Sequence, residues 1–565
     1  MKLLLTSVIG PYGVDDEYGE KENNMELFHN QVTREQGIFS YRFNHGSHGL
    51  CFLAENVDMP TAVLDFPSFK RFKKELKKGY DYVGISFIVP NFKKARKMAQ
   101  TIREVSPASK IILGGHGVSI PNIESMIDHD VICKGEGVYF LRKLFGEKVN
   151  KPIKHPLTYS SFNRQVMGAP LPARSGIIIT GLGCVNKCRF CATSHFFGKY
   201  IPYLKTGQDI FEVCCRYEDE KNITSFGVLD ENFLKMKDRA LELLELIEKN
   251  DRHFNFSIFS SAETLEDIGD LDILVRLGVT FIWIGVESKK EIYIKNKNIN
   301  FHNLINDLRK RGISVLASSI LFLEEHDKNT IWEDIDFATS LNPDYLQFMQ
   351  LGPIPGTKLY KDYEQEGKLI KDLPYESQHG QGKIWFQHDH FTRDESKDLL
   401  RLAFEIDYNR NGASLLRAIK TSFQGYLYCL THSSDRIQAR SGYYKNKLKL
   451  TRYLLTAATI FVQNRQSEAL LREIKDSYRS QFGRMNLPAL ILSLVVVIFS
   501  IKEYLRRRLV GDTRAPKTSY RPLSRVYQHG EQWVKSSHRC RQAPDLPSSI
   551  ICLPCTQEPF IKGHI

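Results

Sequence analysis

Short apolar runs alternate with amphipathic segments through residues 173–375 of the chain. Runs this short that are apolar throughout indicate strands covered on both faces, and the longer segments between them carry the spacing of helices. A repeated strand–helix order predicts a parallel sheet with right-handed crossovers. Six such units make an open, partial α/β barrel, whose chemistry is expected at the carboxyl ends of its strands. We expect strands at residues 175–180, 225–229, 254–259, 280–285, 314–321 and 345–350, with helices such as 208–217, 240–248 and 304–311.

The first 150 residues show a second alternating pattern. Strands are predicted at residues 2–6, 62–65, 82–89, 110–113 and 131–133, with an amphipathic helix over 92–104. This order predicts a doubly wound, Rossmann-like α/β domain over residues 1–150, joined to the barrel by a linker at 151–172. Such domains bind ligands outside the carboxyl ends of their strands.

Beyond the barrel, apolar residues recur at the spacing of helices, and after residue 510 this regular spacing disappears. Residues 376–485 are predicted to be mostly helical, at 396–406, 414–421 and 453–461 for example. Residues 486–510 hold an apolar run at 489–501 with a basic flank, shorter than the roughly 20 residues of a membrane span. Two interpretations stay open: a buried element, or an anchor at a membrane surface with anionic headgroups. The Pro-, Ser- and Arg-rich residues 511–565 predict a disordered tail.

Composition narrows the class of protein. A chain of 565 residues with 42% hydrophobic content can form two or three cores. Lys and Arg number 78 against 65 Asp and Glu, but about half of that excess falls in residues 502–565, and no nucleic-acid-binding module is present. We therefore expect no nucleic acid partner. No signal peptide is evident, and three of the 11 cysteines are tightly grouped, which favours a reducing cytoplasm, with peripheral membrane contact left open.

The grouped cysteines carry the chemistry. Cys184, Cys188 and Cys191 form a Cys-x3-Cys-x2-Cys run, with Phe190 before the last thiol. Three thiolates on one loop can hold three irons of a 4Fe–4S cluster and leave the fourth iron open to a small molecule. The alternative is a zinc site, which would need a fourth ligand, for which His195 is the near candidate.

With Gly181-x-Gly183 leading into it, this motif resembles the radical S-adenosylmethionine (SAM) superfamily. The resemblance implies that the open iron binds SAM and that an electron from the cluster, supplied by a partner such as flavodoxin or ferredoxin, cleaves SAM to a 5′-deoxyadenosyl radical. It also implies SAM or cofactor contacts at Phe190, at Glu287-Ser288 after the fourth strand and at Asp230 after the second. A carboxylate at a strand end is also a common helix cap.

The N-terminal pattern, placed upstream of such a barrel, resembles the cobalamin-binding radical SAM class, which includes magnesium-protoporphyrin cyclases and class B methyltransferases. The resemblance implies cobalamin on the strand ends. The Asp-x-His-x-x-Gly signature of other cobalamin proteins is absent, so a domain that binds no cobalamin stays an alternative. The expected lining is Ser86, Phe87, Asn91, Gly114, Gly115, His116 and Glu136.

Together, the two resemblances predict cobalamin-dependent methyl transfer to an unactivated carbon of a small, hydrophobic or lipid-like substrate. One alternative is a radical cyclisation, ring rearrangement or oxidation without net methyl transfer. Another is a non-catalytic iron–sulfur or zinc protein at a membrane surface. The tRNA methylthiotransferases are disfavoured, because only Cys51 and Cys133 fall in the first 150 residues. A candidate for a further zinc or iron–sulfur site is the group His538, Cys540, Cys552 and Cys555, which includes a Cys-x2-Cys pair.

Overall fold

Five strands of the N-terminal region pair in parallel, in the order β2-β1-β3-β4-β5. The computed structural model describes residues 1–10, 27–43, 45–160, 165–170, 174–290, 294–512, 514 and 516–523. The strands are β1 (Leu3–Thr6), β2 (Thr61–Asp65), β3 (Tyr82–Ser86), β4 (Lys110–Gly114) and β5 (Val131–Ile132), and the helices are α1 (Leu27–Gln31), α2 (His48–Glu55), α3 (Phe69–Leu76), α4 (Phe92–Val105), α5 (Ile123–Met126) and α6 (Gly137–Leu144). In this order the crevice at the carboxyl edge lies between β1 and β3.

The third strand ends earlier than the sequence predicts. Residues 87–89 were expected to continue it, but β3 ends at Ser86 and a 3-10 turn occupies Val89–Asn91. Pro90 lies in this turn, and proline has no N–H to donate to a sheet ladder. The break brings Asn91 to the start of α4.

The middle of the chain forms the second, larger sheet. Six parallel strands run in sequential order, β9-β12-β13-β14-β15-β16, and β6 adds antiparallel to β9. This confirms the α/β character and the parallel sheet expected here. The strands are β6 (Tyr159–Ser160), β7 (Gln165–Val166), β8 (Ala169–Pro170), β9 (Ser175–Ile179), β10 (Gly181–Leu182), β11 (Ile201–Pro202), β12 (Ser225–Leu229), β13 (Asn255–Ser260), β14 (Val279–Glu287), β15 (Ser314–Leu321) and β16 (Tyr345–Gln350), and the helices are α7 (Ala192–Phe197), α8 (Gly207–Lys221), α9 (Lys237–Lys249), α10 (Ala262–Ile268), α11 (Asp272–Leu277), α12 (Phe301–Lys310), α13 (Thr330–Ser340) and α14 (Lys358–Gln365).

Helices follow β16, as expected; two are longer than the sequence predicted, and the one expected at 453–461 is shorter, at Leu455–Phe461. The segments expected at 396–406 and 414–421 are the middle and the start of two helices of 19 and 18 residues. Thr392 caps the first through a reciprocal capping box with Glu395, which fixes its start ahead of the amphipathic run. The helices are α15 (Arg393–Asn411), α16 (Ser414–Thr431), α17 (Asp435–Ala439), α18 (Ser441–Thr451), α19 (Leu455–Phe461), α20 (Arg465–Phe482) and α21 (Leu487–Val510).

Two segments leave the regions to which the sequence assigned them. Residues 27–43 were placed in the N-terminal domain, but Phe28 contacts the rings of Phe281 and Tyr345, and Val32 packs with Leu316. These contacts lie near the amino ends of β14, β15 and β16, so the segment covers that end of the open barrel. Residues 519–521 were expected in a disordered tail, but they form β17 (Ser519–Arg521), antiparallel to β2. The unpaired edge of β2 offers the hydrogen-bonding groups that this strand satisfies.

The apolar run at 489–501 lies within α21, a 24-residue helix capped by Asn486. Within the described part of the chain, α21 is the helix long and apolar enough to cross a membrane, judged by length and composition alone. Only 28% of its apolar window is buried. Burial inside the protein, one of the two interpretations left open, therefore does not describe most of this helix. The candidate site at His538, Cys540, Cys552 and Cys555 lies outside the described residues.

Candidate active site

The cysteine motif lies on a loop closed at its base by a short β-ribbon. β10 precedes the motif and pairs antiparallel with β11, which follows α7. A Cβ on Gly183, whose φ is +83°, would collide with the carbonyl oxygen of Lys199, and one on Gly181 would lie 2.6 Å from the hydroxyl of Tyr200. The two glycines of the Gly-x-Gly lead-in are therefore required, because the two sides of the ribbon approach too closely for side chains.

Arg189, between the second and third cysteines, fastens this loop to the opposite rim of the barrel. Its guanidinium donates to both carboxylate oxygens of Glu324 at 2.8 and 2.9 Å and to Asp362 at 2.8 Å. Its carbonyl accepts from the N–H of Leu359 at the start of α14. A bidentate guanidinium pair fixes orientation as well as distance, so the loop is oriented from both the β15 and the β16 sides.

Asp230 lies beneath the loop. It is buried, forms an ion pair with Arg239 at 2.9 Å and accepts from Thr180 Oγ1 at 2.5 Å and from Tyr200 Oη at 2.7 Å. Thr180 lies between β9 and β10, and Tyr200 precedes β11, so the carboxylate ties together both ends of the cysteine ribbon. Asp230 does not line the cavity described next, which differs from the cofactor contact expected of it. Its structural role is to position the loop.

A cavity of about 330 Å³ opens at the carboxyl end of the barrel strands. Cys184, Cys188, Cys191 and Phe190 line one side, and the ends of β13, β14, β15 and β16 line the other. Glu287 is in the wall, whereas Ser288 is buried behind it and accepts from the N–H of Lys290. The cavity thus brings together the three cysteines, Phe190 and Glu287 among the residues expected in the barrel site.

Several residues of this cavity were missed by the sequence analysis. In β14, Trp283, Gly285 and Glu287 face the cavity, while Ile282, Ile284 and Val286 are fully buried on the other face. This is the two-residue alternation of a strand, and it was readable in the sequence as aromatic, small and charged residues at every second position of an apolar run. The other missed cavity residues include Glu231, Asn232, Phe259, Lys295, Ser318, Gln347 and Trp385. For Lys295, in the loop after β14, no sequence signal was available.

Glu287 and Lys295 form an ion pair in the cavity wall. Nζ of Lys295 lies 2.5 Å from Oε1 of Glu287, and both side chains are largely buried. Burial disfavours the charge of Lys295, but Glu287 and the nearby thiols of Cys188 and Cys191 outweigh it and raise the Lys295 pKa. A Cβ on Gly285 would overlap Oε1 of Glu287 and lie 2.8 Å from Nζ of Lys295. The pair therefore depends on glycine at that position.

An aromatic pair lies on the barrel side of the cavity. The rings of Phe259 and Trp283 stack with centroids 5.1 Å apart, and the indole N–H of Trp283 donates to Ser318. Glu231 lines the cavity, and its side chain is exposed there. Partial desolvation beside the cavity wall and the charge of Asp230 raise the Glu231 pKa. The wall thus combines an apolar, aromatic surface with charged groups of both signs.

The thiols fit an iron–sulfur cluster by their chemistry and placement. Burial raises the pKa of the Cys184 thiol, and it raises that of Cys188 to about 11, with Lys295 opposing the shift. Iron binding would deprotonate such thiols, because the metal is the larger local charge. Within the described residues, no three His, Cys, Asp or Glu side chains converge on a single metal ion. In a cubane cluster each thiolate binds a different iron, so the three thiols do not have to meet at one metal ion, and all three line this cavity.

At the N-terminal sheet, two of the expected residues have other partners. Phe87 is buried, and its ring fills the space beside Gly117. Glu136 caps α6 by accepting from the N–H groups of Val138 and Tyr139, and it also accepts from the hydroxyl of Tyr203. Both side chains therefore have structural partners, and the expectation that they line a ligand stays a prediction. Cap and core positions at a strand end are indistinguishable from ligand positions in sequence.

The other expected residues lie together at the carboxyl edge of that sheet. Ser86 and Gly114 end neighbouring strands β3 and β4, and both are half-buried. Gly115, with φ +83°, lies so close to Phe87 that a Cβ would be 2.6 Å from its carbonyl oxygen. The ring of His116 contacts that of Phe196 of α7 in a tilted arrangement, with centroids 4.6 Å apart, and burial lowers the His116 pKa to about 4. This edge therefore meets the helix that follows the cysteines.

Comparison with known proteins identifies the barrel. Residues 178–338 match the model of the radical SAM superfamily. The chain is 28% identical over 324 residues to bacteriochlorophyllide d C-8(2)-methyltransferase of Chlorobaculum tepidum, a match covering 51% of this chain and 70% of that protein. It is 23% identical to the anaerobic magnesium-protoporphyrin IX monomethyl ester cyclase of Rubrivivax gelatinosus, covering 50% and 58%. It is 24% identical to the hopanoid C-2 methylase of Rhodopseudomonas palustris, covering 36% and 40%.

Among solved structures, the radical SAM methyltransferase TsrM from Kitasatospora setae, with cobalamin and a [4Fe-4S] cluster bound, aligns over 84% of this chain and 99% of its own. The identity is 13% and the TM-score 0.46, too low to establish a shared fold. The family match and the named relatives show that the chain is an enzyme of the radical SAM class. Enzymes of this class use a 4Fe–4S cluster and SAM, act on small molecules and need a reductant.

Proposed function

We propose that this chain is a cobalamin-dependent radical SAM methyltransferase that acts on an unactivated carbon of a hydrophobic substrate. The observation that carries the proposal is one cavity in which the three motif thiols face the stacked pair Phe259–Trp283 across the carboxyl ends of the barrel strands. The cluster would supply an electron to cleave SAM, and cobalamin would supply the methyl group. The described residues would bind, orient and shield the reactants.

In this proposal Cys184, Cys188 and Cys191 hold the cluster. Arg189 and Asp230 act through the loop as positioning residues, because they fix its two sides to the barrel. Glu287 and Lys295 present opposite charges to the cavity, which suits the ammonium and carboxylate of SAM. Phe259, Trp283 and Trp385 give the substrate an apolar, planar surface and exclude water from a radical.

Cobalamin fits best at the carboxyl edge of the N-terminal sheet. There the hydroxyl of Ser86, the carboxamide of Asn91 and the backbone of Gly114 and Gly115 lie at the ends of neighbouring strands. The Asn91 side chain makes no capping bond to α4, and Nδ1 of His116 is buried without a hydrogen-bond partner. The order of the strands supports a ligand at this edge, since it follows the doubly wound pattern.

A reducing cytoplasm and an electron donor of the flavodoxin or ferredoxin type complete the proposal. The eight cysteines of the described part of the chain form no disulfide with one another, which agrees with a reducing compartment. Lys295 places a positive charge in the cavity wall, which would favour the transfer of an electron to the cluster.

The test is anaerobic reconstitution of the full chain with iron, sulfide and cobalamin, followed by desalting and by incubation with SAM and a reductant. Bound corrin is read from its absorbance and 5′-deoxyadenosine by chromatography. We expect both in the native protein. In Ser86→Ala/Asn91→Ala we expect less bound corrin and unchanged cluster content, and Ser106→Ala, near the opposite edge of the same sheet, serves as the control. Full 5′-deoxyadenosine yield without any retained corrin would overturn cobalamin dependence.

The relative named as a magnesium-protoporphyrin cyclase favours a second candidate, radical ring formation or oxidation without methyl transfer. Product mass separates the two, because only methyl transfer adds the mass of a methyl group in place of hydrogen. A methylated product labelled from methyl-deuterated SAM would support methyl transfer. A cyclised or oxidised product without the label would establish the second candidate.

A further inference from the structure

The helix α21 is oriented opposite to an ordinary surface helix. Its buried positions are Ser493, Val497, Ser500 and Glu503, three of which are polar. Its exposed face is almost entirely aliphatic and includes Leu490, Ile491, Leu494, Val495, Ile498 and Phe499. A helix of a water-soluble protein places the apolar stripe inward and the polar residues outward. An exposed apolar face of this extent indicates a binding surface.

The buried face is fixed to the body of the protein. Oγ of Ser500 donates to the carbonyl of Met167 at 2.7 Å, and a Cβ on Gly168 would lie 2.6 Å from the carbonyl oxygen of Phe499. Glu503 forms an ion pair with Arg42, outside the helix, at 3.7 Å, and the guanidinium of Arg507 donates to the carbonyl of Gly37. These contacts hold the helix along the surface, so a partner reaches it from the side and the helix does not leave the body to cross a bilayer.

The exposed charged residues of α21 have one sign. Within α21, Lys502 and Arg508 are exposed, while the one acidic residue, Glu503, is buried and paired. Two exposed aliphatic residues lie on neighbouring elements: Leu450 of α18 is 55% exposed and Ile460 of α19 is 57% exposed. Helix α19 packs against α21, as does the turn Arg452–Leu454 that follows α18. An aliphatic surface bordered by cations matches the acyl chains and headgroups of an anionic bilayer.

We propose that the exposed face of α21 binds the surface of an anionic lipid bilayer, with the helix lying in the plane of the interface. A second copy of the chain is a weaker fit, because it would bring the same cations together on both sides of a symmetric contact. The surface would hold the enzyme where apolar molecules are concentrated. The proposal rests on α21 alone and does not require the proposed methyl transfer.

The test is sedimentation of the full chain with vesicles of phosphatidylcholine, with and without phosphatidylglycerol. We expect binding that is stronger with the anionic lipid and falls with added salt. Ile491→Asp/Ile498→Asp changes two exposed aliphatic side chains and should weaken binding by more than about tenfold, because both charges would enter the apolar boundary. Leu402→Asp, at an exposed leucine of α15, should bind as the native chain does.

Circular dichroism and 5′-deoxyadenosine formation show whether the variants remain folded and competent. Native protein that stays in the supernatant with both vesicles would overturn the proposal, as would equal loss of binding in Leu402→Asp. Light scattering without lipid tests whether a second copy of the chain binds this face instead. A stable dimer that Ile491→Asp/Ile498→Asp dissociates would assign the face to a second copy and overturn the lipid proposal.

Discussion

The molecule contains two parallel sheets with small or polar residues at their carboxyl edges, and the two edges differ in what surrounds those residues. In the barrel, the ends of β13 to β16 curve around a cavity of about 330 Å³ into which Trp283, Gly285 and Glu287 point. In the N-terminal sheet, Phe87 is buried against Gly117, and the ring of His116 packs against that of Phe196. The same pattern at a strand end leads to an open site in one sheet and to a largely packed edge in the other.

The difference shows how curvature and neighbouring helices decide what a strand-end residue does. An open barrel leaves a space at its centre that side chains do not fill, so alternate residues of each strand face one another across it. A twisted sheet covered by helices has no such centre, and its strand-end carboxylate Glu136 is used to cap α6. Phe196 of α7 contacts His116 at this edge, so a cofactor that occupied the position of the Phe196 ring would require that ring to move.

The largest expected effect tests whether the barrel edge is the site of chemistry. Cys188→Ala removes one of three cluster ligands, so we expect SAM cleavage to be lost, measured as 5′-deoxyadenosine after anaerobic reconstitution. Cys214→Ala is the matched control, because that thiol, on α8, is fully buried in the core and does not line the active-site cavity. SAM cleavage retained by Cys188→Ala would show that the chemistry does not depend on the cysteine site at the barrel edge.

The second prediction separates positioning from simple stability. Asp230→Asn leaves Arg239 buried without its charge partner, which should destabilise the protein by roughly 3 kcal/mol. Asp407→Asn does the same to the equally buried pair Asp407–Arg417 in the helical region. Both should show a lower midpoint of denaturant unfolding. Only Asp230→Asn should also lose iron per chain at a temperature where both remain folded; equal iron content would leave Asp230 with a purely structural role.

The third prediction concerns the shape of the barrel edge. Gly285→Ala places a Cβ against Glu287 and Lys295, so the pair must shift, and we expect the dissociation constant for SAM to rise about tenfold, or about 1.4 kcal/mol. Gly227→Ala is its control, because a Cβ there meets only Ile177 at 3.5 Å, an ordinary contact. Isothermal titration of the reconstituted proteins measures both. Unchanged affinity in Gly285→Ala would show that SAM does not depend on this pair.

The smallest expected effect is a pH dependence of stability at the end of β9. His155 is buried, and its Nε2 accepts from the N–H of Ile179 at the end of β9. Burial lowers the pKa of His155 from 6.5 to about 4. The unfolded chain therefore takes up this proton first, so the stabilising contribution is complete above pH 6.5 and is lost as the pH falls toward 4. At pH 5.5 the loss is about 1 kcal/mol.

His155→Gln keeps an acceptor for Ile179 but does not titrate. Its free energy of unfolding should fall less between pH 7 and pH 5.5 than that of the native chain, as measured by urea denaturation at each pH. Other buried histidines, including His29 and His379, have pKa values lowered to about 4 in the same way and should leave a residual slope. Identical slopes in the two proteins would show that His155 contributes nothing to the acid sensitivity.

Much of the barrel was predictable because its signals are local. Six apolar runs of the right length gave the strands of the parallel sheet, and the cysteine spacing with its glycine lead-in indicated the loop. The cavity face of β14 was present in the sequence as a two-residue alternation. The partners of Asp230 were not, since Thr180, Tyr200 and Arg239 are brought to it from three separate elements.

The sequence by itself determined the two alternating α/β regions, the helical region after them and the group of three cysteines, because each rests on periodicity or spacing within a short stretch of chain. Only the tertiary structure decided which strand-end residues face a cavity, that residues 27–43 cover the barrel, that 519–521 extend the N-terminal sheet and that α21 turns its aliphatic face outward. These outcomes depend on which distant surfaces meet. Burial of a given side chain is a property of that meeting and is not encoded at the residue's own position.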